Sequence, residues 1–468
     1  MAKDLRSFLD DVARSKTNDI REVNREVSPL YEAPAVVQRL YKENQFPVVL
    51  FNKVRGKDIP VVYNLCADRD KFAIALQTDR NTASEEYMRR IHQRIDPVIV
   101  ASGPVHEKVY LGDEVDLNML PIITHSELDD APYITLGVTC VRDRNQKMNL
   151  GIYRHRLIDR NHLGLYYSWG KRIQYIHSEA EERGEDLPIA IVIGMHPTFL
   201  YASIGASALA EDEYAICGGL MQEALPVVPC KTVPLEVPAF AEIVIEGKLL
   251  ANQRRTEGPF GEYTDYYGQI VDAPVVEVTA ITMRSDAIYN DVGMNVEHCY
   301  MTNAPRESQL LGLLRQAVPT VRQVHIPTSG TCFHAYISMK KRNEGDAKNL
   351  MMVALGMDPF LKHVVVVDDD VDVFNEREVL WAVATRFRAD RDLFIVENAR
   401  GNRLDPTTYT ITRLARDGMV TKMGIDATVP MGLPYELPER MVIPGVDELS
   451  LDDYFGKETI STKSKSVS

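Results

Sequence analysis

The chain has 468 residues, 45% hydrophobic and 26% charged, with 53 Lys and Arg against 67 Asp and Glu for a formal charge of -14. That length exceeds what one hydrophobic core ordinarily serves, so two or three domains are expected. The acidic balance, without a basic stripe interleaved with aromatics, speaks against nucleic acid and anionic membranes as partners.

The start, Met1 to Arg6, has no apolar signal core, and no run of about 18 apolar residues occurs, so a cytoplasmic protein is expected. The six cysteines, Cys66, Cys140, Cys217, Cys230, Cys299 and Cys332, are dispersed without a C-x-x-C pair. They read as small buried hydrophobes rather than disulfides or a zinc knuckle.

Leu5, Phe8, Leu9 and Val12 predict a helix over 4–13, a second helix follows over 33–41, and a strand over 46–51. Residues 1–115 are expected to form an α/β domain. The extended X-Pro segment ending at Pro121 marks its boundary. Residues 116–303 are rich in Val, Ile, Thr and Tyr, which predicts strands over 133–141, 188–194, 237–246 and 275–283. One helix, over 171–183, interrupts them and stops at Gly184 as a C-cap glycine allows. A helix over 307–317 belongs to a linking segment, 304–320. From 321 to 468 the order strand, strand, helix, strand, helix argues a third domain, of α/β type. Its elements are expected over 321–326, 332–338, 347–355, 363–367 and 376–384. Residues 440–468 lose periodicity and are expected to be disordered or to cover a partner subunit.

The most informative segment is Glu257-Gly258-Pro259-Phe260-Gly261-Glu262. Two acids five positions apart would point to opposite faces of a strand, and on a helix they would diverge by roughly 140°. A Gly-Pro-x-Gly bend can instead aim both into one cleft. Paired carboxylates in one pocket can hold different pKa values, which makes one of them an acid at neutral pH. The plain alternative is a solvated acidic loop.

Asn149-Leu150-Gly151-Ile152-Tyr153-Arg154 offers a planar cation suited to clamping a carboxylate and, in Asn149, an oxygen suited to a hard cation. An ordinary surface arginine beside His155 and Arg156 is the alternative. The run Tyr201-Ala202-Ser203-Ile204-Gly205 would let backbone approach a phosphate. Glu211-Asp212-Glu213 reads more readily as a helix start complementing the macrodipole than as a metal site.

In their order and separations, these three stretches, with Tyr266-Tyr267-Gly268 after the last, resemble the UbiD-type reversible decarboxylases. Segments 367–372, 381–386 and 422–428 resemble that family too, so the likeness spans most of the chain. The resemblance implies an N-terminal α/β domain, a central flavin-binding split β-barrel and a C-terminal α/β oligomerisation domain. It implies prenylated FMN, a divalent ion, usually manganese, at the cofactor phosphate, and a potassium ion nearby. Arg154, Glu257 and Glu262 match the family's catalytic arginine and two acids, and Asn149 and Glu213 match its metal ligands. Ile152, Tyr153, Ser203, Lys171 and Arg172 join Asn149, Arg154 and Glu213 on the expected cofactor surface.

One position departs. Where the family pattern places a histidine ligand, this chain has Lys171 or Arg172. Either a cation takes over part of the charge neutralisation at the phosphate, or both residues start an exposed helix and the ion keeps fewer protein ligands.

The family likeness implies decarboxylation of an aromatic or α,β-unsaturated acid, or a thioester-bearing analogue, in which an electron sink must accept the carbanion. Arg154 would hold the substrate carboxylate, Glu257 would orient Arg154, and Glu262 would deliver the proton. Phe260, Tyr263, Tyr266 and Tyr300 are expected as aromatic pocket walls, with His298 beside them. A flavin prenyltransferase would supply the cofactor, and a homo-oligomer, dimer or hexamer, is expected. Two rivals remain: a flavin-binding or scaffold subunit of a multi-subunit carboxylase, and a metal phosphohydrolase built on Asp368-Asp369-Asp370. Those acids otherwise cap the next element.

Overall fold

The computed structural model describes residues 3–15, 20–168, 170–205, 211–408, 418–432, 440–441, 443–446 and 449–455. Two compact units divide at Thr428.

The first helix, Leu5–Arg14, begins where Asp4 accepts the Ser7 N–H and Ser7 Oγ accepts the Asp4 N–H, a reciprocal cap that satisfies two otherwise orphaned donors. It buries Leu5, Phe8 and Val12 on one face. Strands Ile20–Val23, Val48–Phe51 and Val61–Tyr63 form a sheet beside it. The fourth strand of that sheet, Tyr289–Asn290, arrives from far along the chain.

The centre of the molecule is a closed barrel. Its strands run in the order Ile243–Glu257, Leu187–Ile193, Tyr133–Arg142, Met148–Leu157, His162–Tyr166 and Val271–Met283, and the last pairs again with the first. Closure leaves no free edge within the ring. Lys108–Leu111 adds a seventh strand outside the ring, on Val271–Met283. Tyr133–Arg142 is buried along nearly its whole length, which fits a strand covered on both faces. Helix Arg172–Glu182 follows the His162–Tyr166 strand, and helices Pro197–Gly205 and Glu213–Met221 follow Leu187–Ile193.

The helix expected over 307–317 begins much earlier and spans Val296–Ala317, with Pro305 inside it. An internal proline reads in sequence as a break, yet here the helix continues through it. The C-terminal sheet has five strands in the order Val321–His325, His334–Met339, His363–Asp368, Met419–Ala427 and Leu393–Arg400. The two inner pairings are parallel and the two outer ones antiparallel. Helices Asp346–Met357 and Glu376–Arg386 complete this α/β domain. Its strands Leu393–Arg400 and Met419–Ala427 were not anticipated. Leu393–Arg400 is an edge strand with no buried residue; its apolar run, Leu393-Phe394-Ile395-Val396, is as short as a single turn of helix and ends in the polar Glu397-Asn398.

Among the described residues no helix is long and apolar enough to cross a membrane. In the second unit the described helix is Asp452–Phe455. The small polar residues that end the chain lie outside the described residues.

Candidate active site

Arg154 stands in the Met148–Leu157 strand opposite Tyr166. A register shift in the neighbouring strand, between Ile134 and Gly137, falls beside it. Its guanidinium lies 4.0 Å from the Tyr166 ring centroid and 5.0 Å from that of Phe260, so two aromatic faces hold the cation. Nε and Nη2 each donate to one oxygen of Glu257 at 2.7 Å, a fork-on-fork pairing. Nη1 donates to Glu262 Oε1. Both acids of the Glu257–Glu262 segment thus meet one cation, as the bend requires. Three charged groups with two negatives become neutral when one acid takes up a proton.

The bend has identifiable supports. Glu257, 1% exposed, is the last residue of the Ile243–Glu257 strand. Gly258 follows at φ +93°, where a side chain is strained. The Gly261 N–H donates to Asp129 Oδ1 at 2.9 Å, the Glu262 N–H to the Tyr266 carbonyl at 2.9 Å and the Gly268 N–H to the Phe260 carbonyl at 2.9 Å. A Cβ on Gly268 would stand 3.1 Å from Glu262 Oε1, so glycine lets the chain pass close to the acid.

A second cluster lies at the start of the same strand. Glu213 is buried and accepts the Leu150 N–H and, at 3.0 Å, the Asn149 side-chain amide. Burial pushes its carboxyl up to about 8, against the pull of the Leu150 N–H and of Arg172. Arg172 Nη1 stands 3.9 Å from Glu213 Oε1, while its Nη2 donates to Asp143 Oδ2 at 2.7 Å. Asp212, next to Glu213, caps the Glu213–Met221 helix through the Tyr214 N–H. Among the described residues no group of three or more His, Cys, Asp or Glu could hold a metal ion.

Lys171 takes a different direction from Arg172. Its Nζ lies 5.9 Å from the Phe360 ring centroid. Ile152 packs against the core, and the Tyr153 ring meets Tyr167 edge-on at 6.5 Å. Ser203 Oγ donates to the Leu200 carbonyl at 2.7 Å, and residues 206–210 beyond it lie outside the described residues.

Glu262 forms part of the wall of a cavity of about 410 Å³. Its other walls include Tyr166, Tyr167, Gln174, Tyr267, Arg403 and Leu404. The expected aromatic walls are placed elsewhere. Phe260 and Tyr263 are buried, Tyr266 is exposed, and Tyr300 meets Phe46 edge-on. His298 stacks on Tyr263 with ring centroids 4.8 Å apart. Tyr166, Tyr167 and Tyr267 therefore supply the aromatic surface. Tyr167 and Tyr267 are a hundred residues apart, and only the strand pairing brings their segments together. The acids of the Asp368 cluster do not converge on an open site: Arg386 pairs with Asp368 and Asp370, and Arg322 with Asp369. All six cysteines are free.

Known proteins share this architecture. The 3-octaprenyl-4-hydroxybenzoate carboxy-lyase family matches in three consecutive parts: its N-terminal domain over residues 13–91, its Rift-related domain over 97–295 and its C-terminal domain over 299–427. The chain belongs to the UbiD family of carboxy-lyases. It is 36% identical over 430 residues to the anhydromevalonate phosphate decarboxylase of Methanothermobacter thermautotrophicus, covering 91% of this chain and 97% of the relative. The UbiD-class enzyme HmfF from Pelotomaculum thermopropionicum, solved in complex with FMN, superposes with a TM-score of 0.89 at 40% identity, covering 96% of this chain and 100% of that one. An evolved dimeric form of that enzyme was solved with prFMN, at 36% identity and a TM-score of 0.86, covering 97% of this chain and 100% of that one. The 3,4-dihydroxybenzoic acid decarboxylase AroY of Klebsiella pneumoniae has a TM-score of 0.87 at 26% identity, covering 97% of this chain and 100% of that one.

Proposed function

We propose that this chain is a prenylated-FMN decarboxylase of an α,β-unsaturated, non-aromatic acid. The observation that carries the reading is Arg154, gripped by Glu257 on one side and by Glu262 at a cavity wall on the other. HmfF, bound to FMN in one structure and prFMN in another, supports the cofactor. The substrate class follows the relative at 36% identity, whose named substrate is a phosphate with no aromatic ring, rather than AroY at 26%.

The residues present fit a flavin phosphate better than they fit a manganese ion. Asn149 and Glu213 offer oxygens, but the third side is taken by the Arg172 guanidinium, which repels a cation and attracts phosphate oxygens. Asn149, Ile152, Tyr153, Arg172, Ser203 and Glu213 would hold the cofactor, which when bound supplies the electron sink that loss of carbon dioxide requires.

The chain's own residues do the rest. Glu257 fixes the plane of the guanidinium through two bonds, so Arg154 meets the substrate carboxylate in one orientation. That carboxylate takes the place of Glu262 at Nη1. Glu262, released in its protonated form, delivers a proton to the carbon that loses its carboxyl group. Tyr166 and Phe260 cover the guanidinium, shield it from water and strengthen each of its charge contacts.

The test is to produce the chain together with a flavin prenyltransferase, confirm the cofactor by intact mass, and follow labelled carbon dioxide into a panel of unsaturated and aromatic acids. Exchange into the unsaturated acids is expected. Cofactor-loaded protein that exchanges label into neither class defeats the proposal, and activity restored only by a second subunit would favour the scaffold alternative.

A further inference from the structure

Lys171 and Arg172 are neighbours in sequence, yet their charges serve different places. Arg172 turns to Glu213 and Asp143. Lys171 turns to Phe360, and Arg306 stands against that same ring with its guanidinium carbon 4.7 Å from the centroid. Arg400 reaches the same spot from the end of the Leu393–Arg400 strand: a Cβ on Gly170 would lie 2.6 Å from its Nη2. Lys422 completes the group, its Nζ donating to the Leu355 carbonyl at 2.8 Å and the Asp358 carbonyl at 3.1 Å.

Against these four cations the neighbouring carboxylate is Asp358, which pairs with Arg306 at 2.8 Å. Among the described residues, neither Lys171 nor Arg400 has an ion pair or a side-chain hydrogen bond. Four separate parts of the chain therefore converge to place like charges together, and the exposed Lys171 and Arg400 leave their charged ends open to an anion. Burial and then Lys171 hold the His298 imidazole down to about 4, which places the Lys171 charge beside that ring.

Chain neighbours of the cluster reach the cavity of Glu262. Tyr263, the next residue after that acid, stacks on His298 and accepts a hydrogen bond from Asn402 at 2.9 Å. Gln174, one turn of helix from Lys171, and Arg403, three residues beyond Arg400, both line the cavity wall.

We infer that Lys171, Arg306 and Arg400 form a seat for a phosphate monoester carried by the substrate, at the end remote from the carboxylate that Arg154 holds. The inference rests on the decarboxylase reading above and adds the group that selects among unsaturated acids. A compact dianion offsets the surplus charge, and the Arg400 guanidinium presents a fork that matches phosphate oxygens; Arg306, whose donors serve Asp358, Asn303 Oδ1 and the Cys332 carbonyl, adds charge rather than direct bonds. The flavin phosphate has the same chemistry, so the experiment must separate the two.

Full-length, FMN-loaded protein is titrated with inorganic phosphate by calorimetry at low ionic strength, and FMN affinity is measured separately by fluorescence quenching. Lys171→Met, Arg400→Met, the double variant and Lys171→Arg are compared, with thermal melts to confirm folding. The expected result is phosphate binding to the FMN-loaded wild type, weakened at least about tenfold in the double variant and retained in Lys171→Arg, with FMN affinity changed less than about twofold. The inference is overturned if FMN-loaded wild type takes up no phosphate, if the double variant binds it equally, or if the Met variants lose FMN instead, which would assign the seat to the cofactor. Absent phosphate binding in a protein that still exchanges labelled carbon dioxide removes the seat and leaves the decarboxylase reading standing.

Discussion

Arg154 and Glu257 are joined by two N–H···O bonds of 2.7 Å each, and both side chains are almost wholly out of water. Desolvating two charges is costly, and the pairing repays it only while both members are present. Removing either one alone is expected to destabilise the protein by about 3 kcal/mol or more, because the other charge is left buried with fewer partners. Arg154→Met combined with Glu257→Met should cost clearly less than the two singles added together. Urea denaturation of the four proteins measures this coupling. Additivity within about 0.5 kcal/mol would show that the two residues act independently.

Glu262 shares the guanidinium but also reaches the cavity, so its removal should separate chemistry from architecture. Glu262→Gln keeps the shape and loses the transferable proton. Decarboxylation is expected to fall by about a hundredfold or more, with FMN affinity unchanged because the Asn149, Glu213 and Arg172 cluster is untouched. Gly268→Ala offers a subtler version: the added Cβ, 3.1 Å from Glu262 Oε1, pushes the acid without changing its chemistry. A partial loss of kcat with a normal melting temperature is the expected pattern. Full activity in Glu262→Gln would take the proton-donor role away from this residue.

That the two acids could share one cleft was legible because glycine and proline constrain the chain locally, and the barrel strands were legible in their long Val and Ile runs; the link of Arg154 to those acids came only from the family resemblance. What sequence left open depended on contacts between distant segments. Lys171 and Arg172 carry the same sign and adjoin in the chain, so nothing local tells which one faces Glu213. Tyr166 becomes a partner of Arg154 only through the register of two strands. Pro305 reads as an interruption, yet the helix runs from Val296 through it to Ala317, buried against neighbours on both sides. Leu393–Arg400 carries only a four-residue apolar run, Leu393 to Val396, and that run alone does not separate a strand from a helical turn.

Arg172, one of the two residues expected where the family pattern has a histidine, stands 3.9 Å from Glu213. Two oxygen donors beside a fixed positive charge make a poor seat for a divalent cation. Flavin-loaded wild type, dialysed against metal-free buffer, is expected to retain manganese well below stoichiometry by elemental analysis. Arg172→His removes the repelling charge and adds a nitrogen ligand, so manganese retention should rise toward stoichiometry. Stoichiometric manganese in the wild type would show that the guanidinium does not replace the ion.

His155 follows Arg154 in the strand but points to the other face, where it is fully buried and pairs with Thr139 Oγ1 at 3.0 Å. Burial holds its imidazole down to about 3, so the folded protein resists protonation that the unfolded chain accepts near the ordinary histidine value of about 6.5. The sign follows from linkage: a depressed folded value contributes stability that is fully present above about pH 6.5 and is lost as the pH falls toward 3. By pH 5 the loss from this residue amounts to about 2 kcal/mol. Urea midpoints measured from pH 7.5 to pH 5 should fall steadily in the wild type and fall less in His155→Asn, which keeps a polar partner for Thr139 but cannot titrate. Equal slopes in the two proteins would mean that other groups carry the acid sensitivity, and that the barrel wall behind Arg154 takes up a proton without cost.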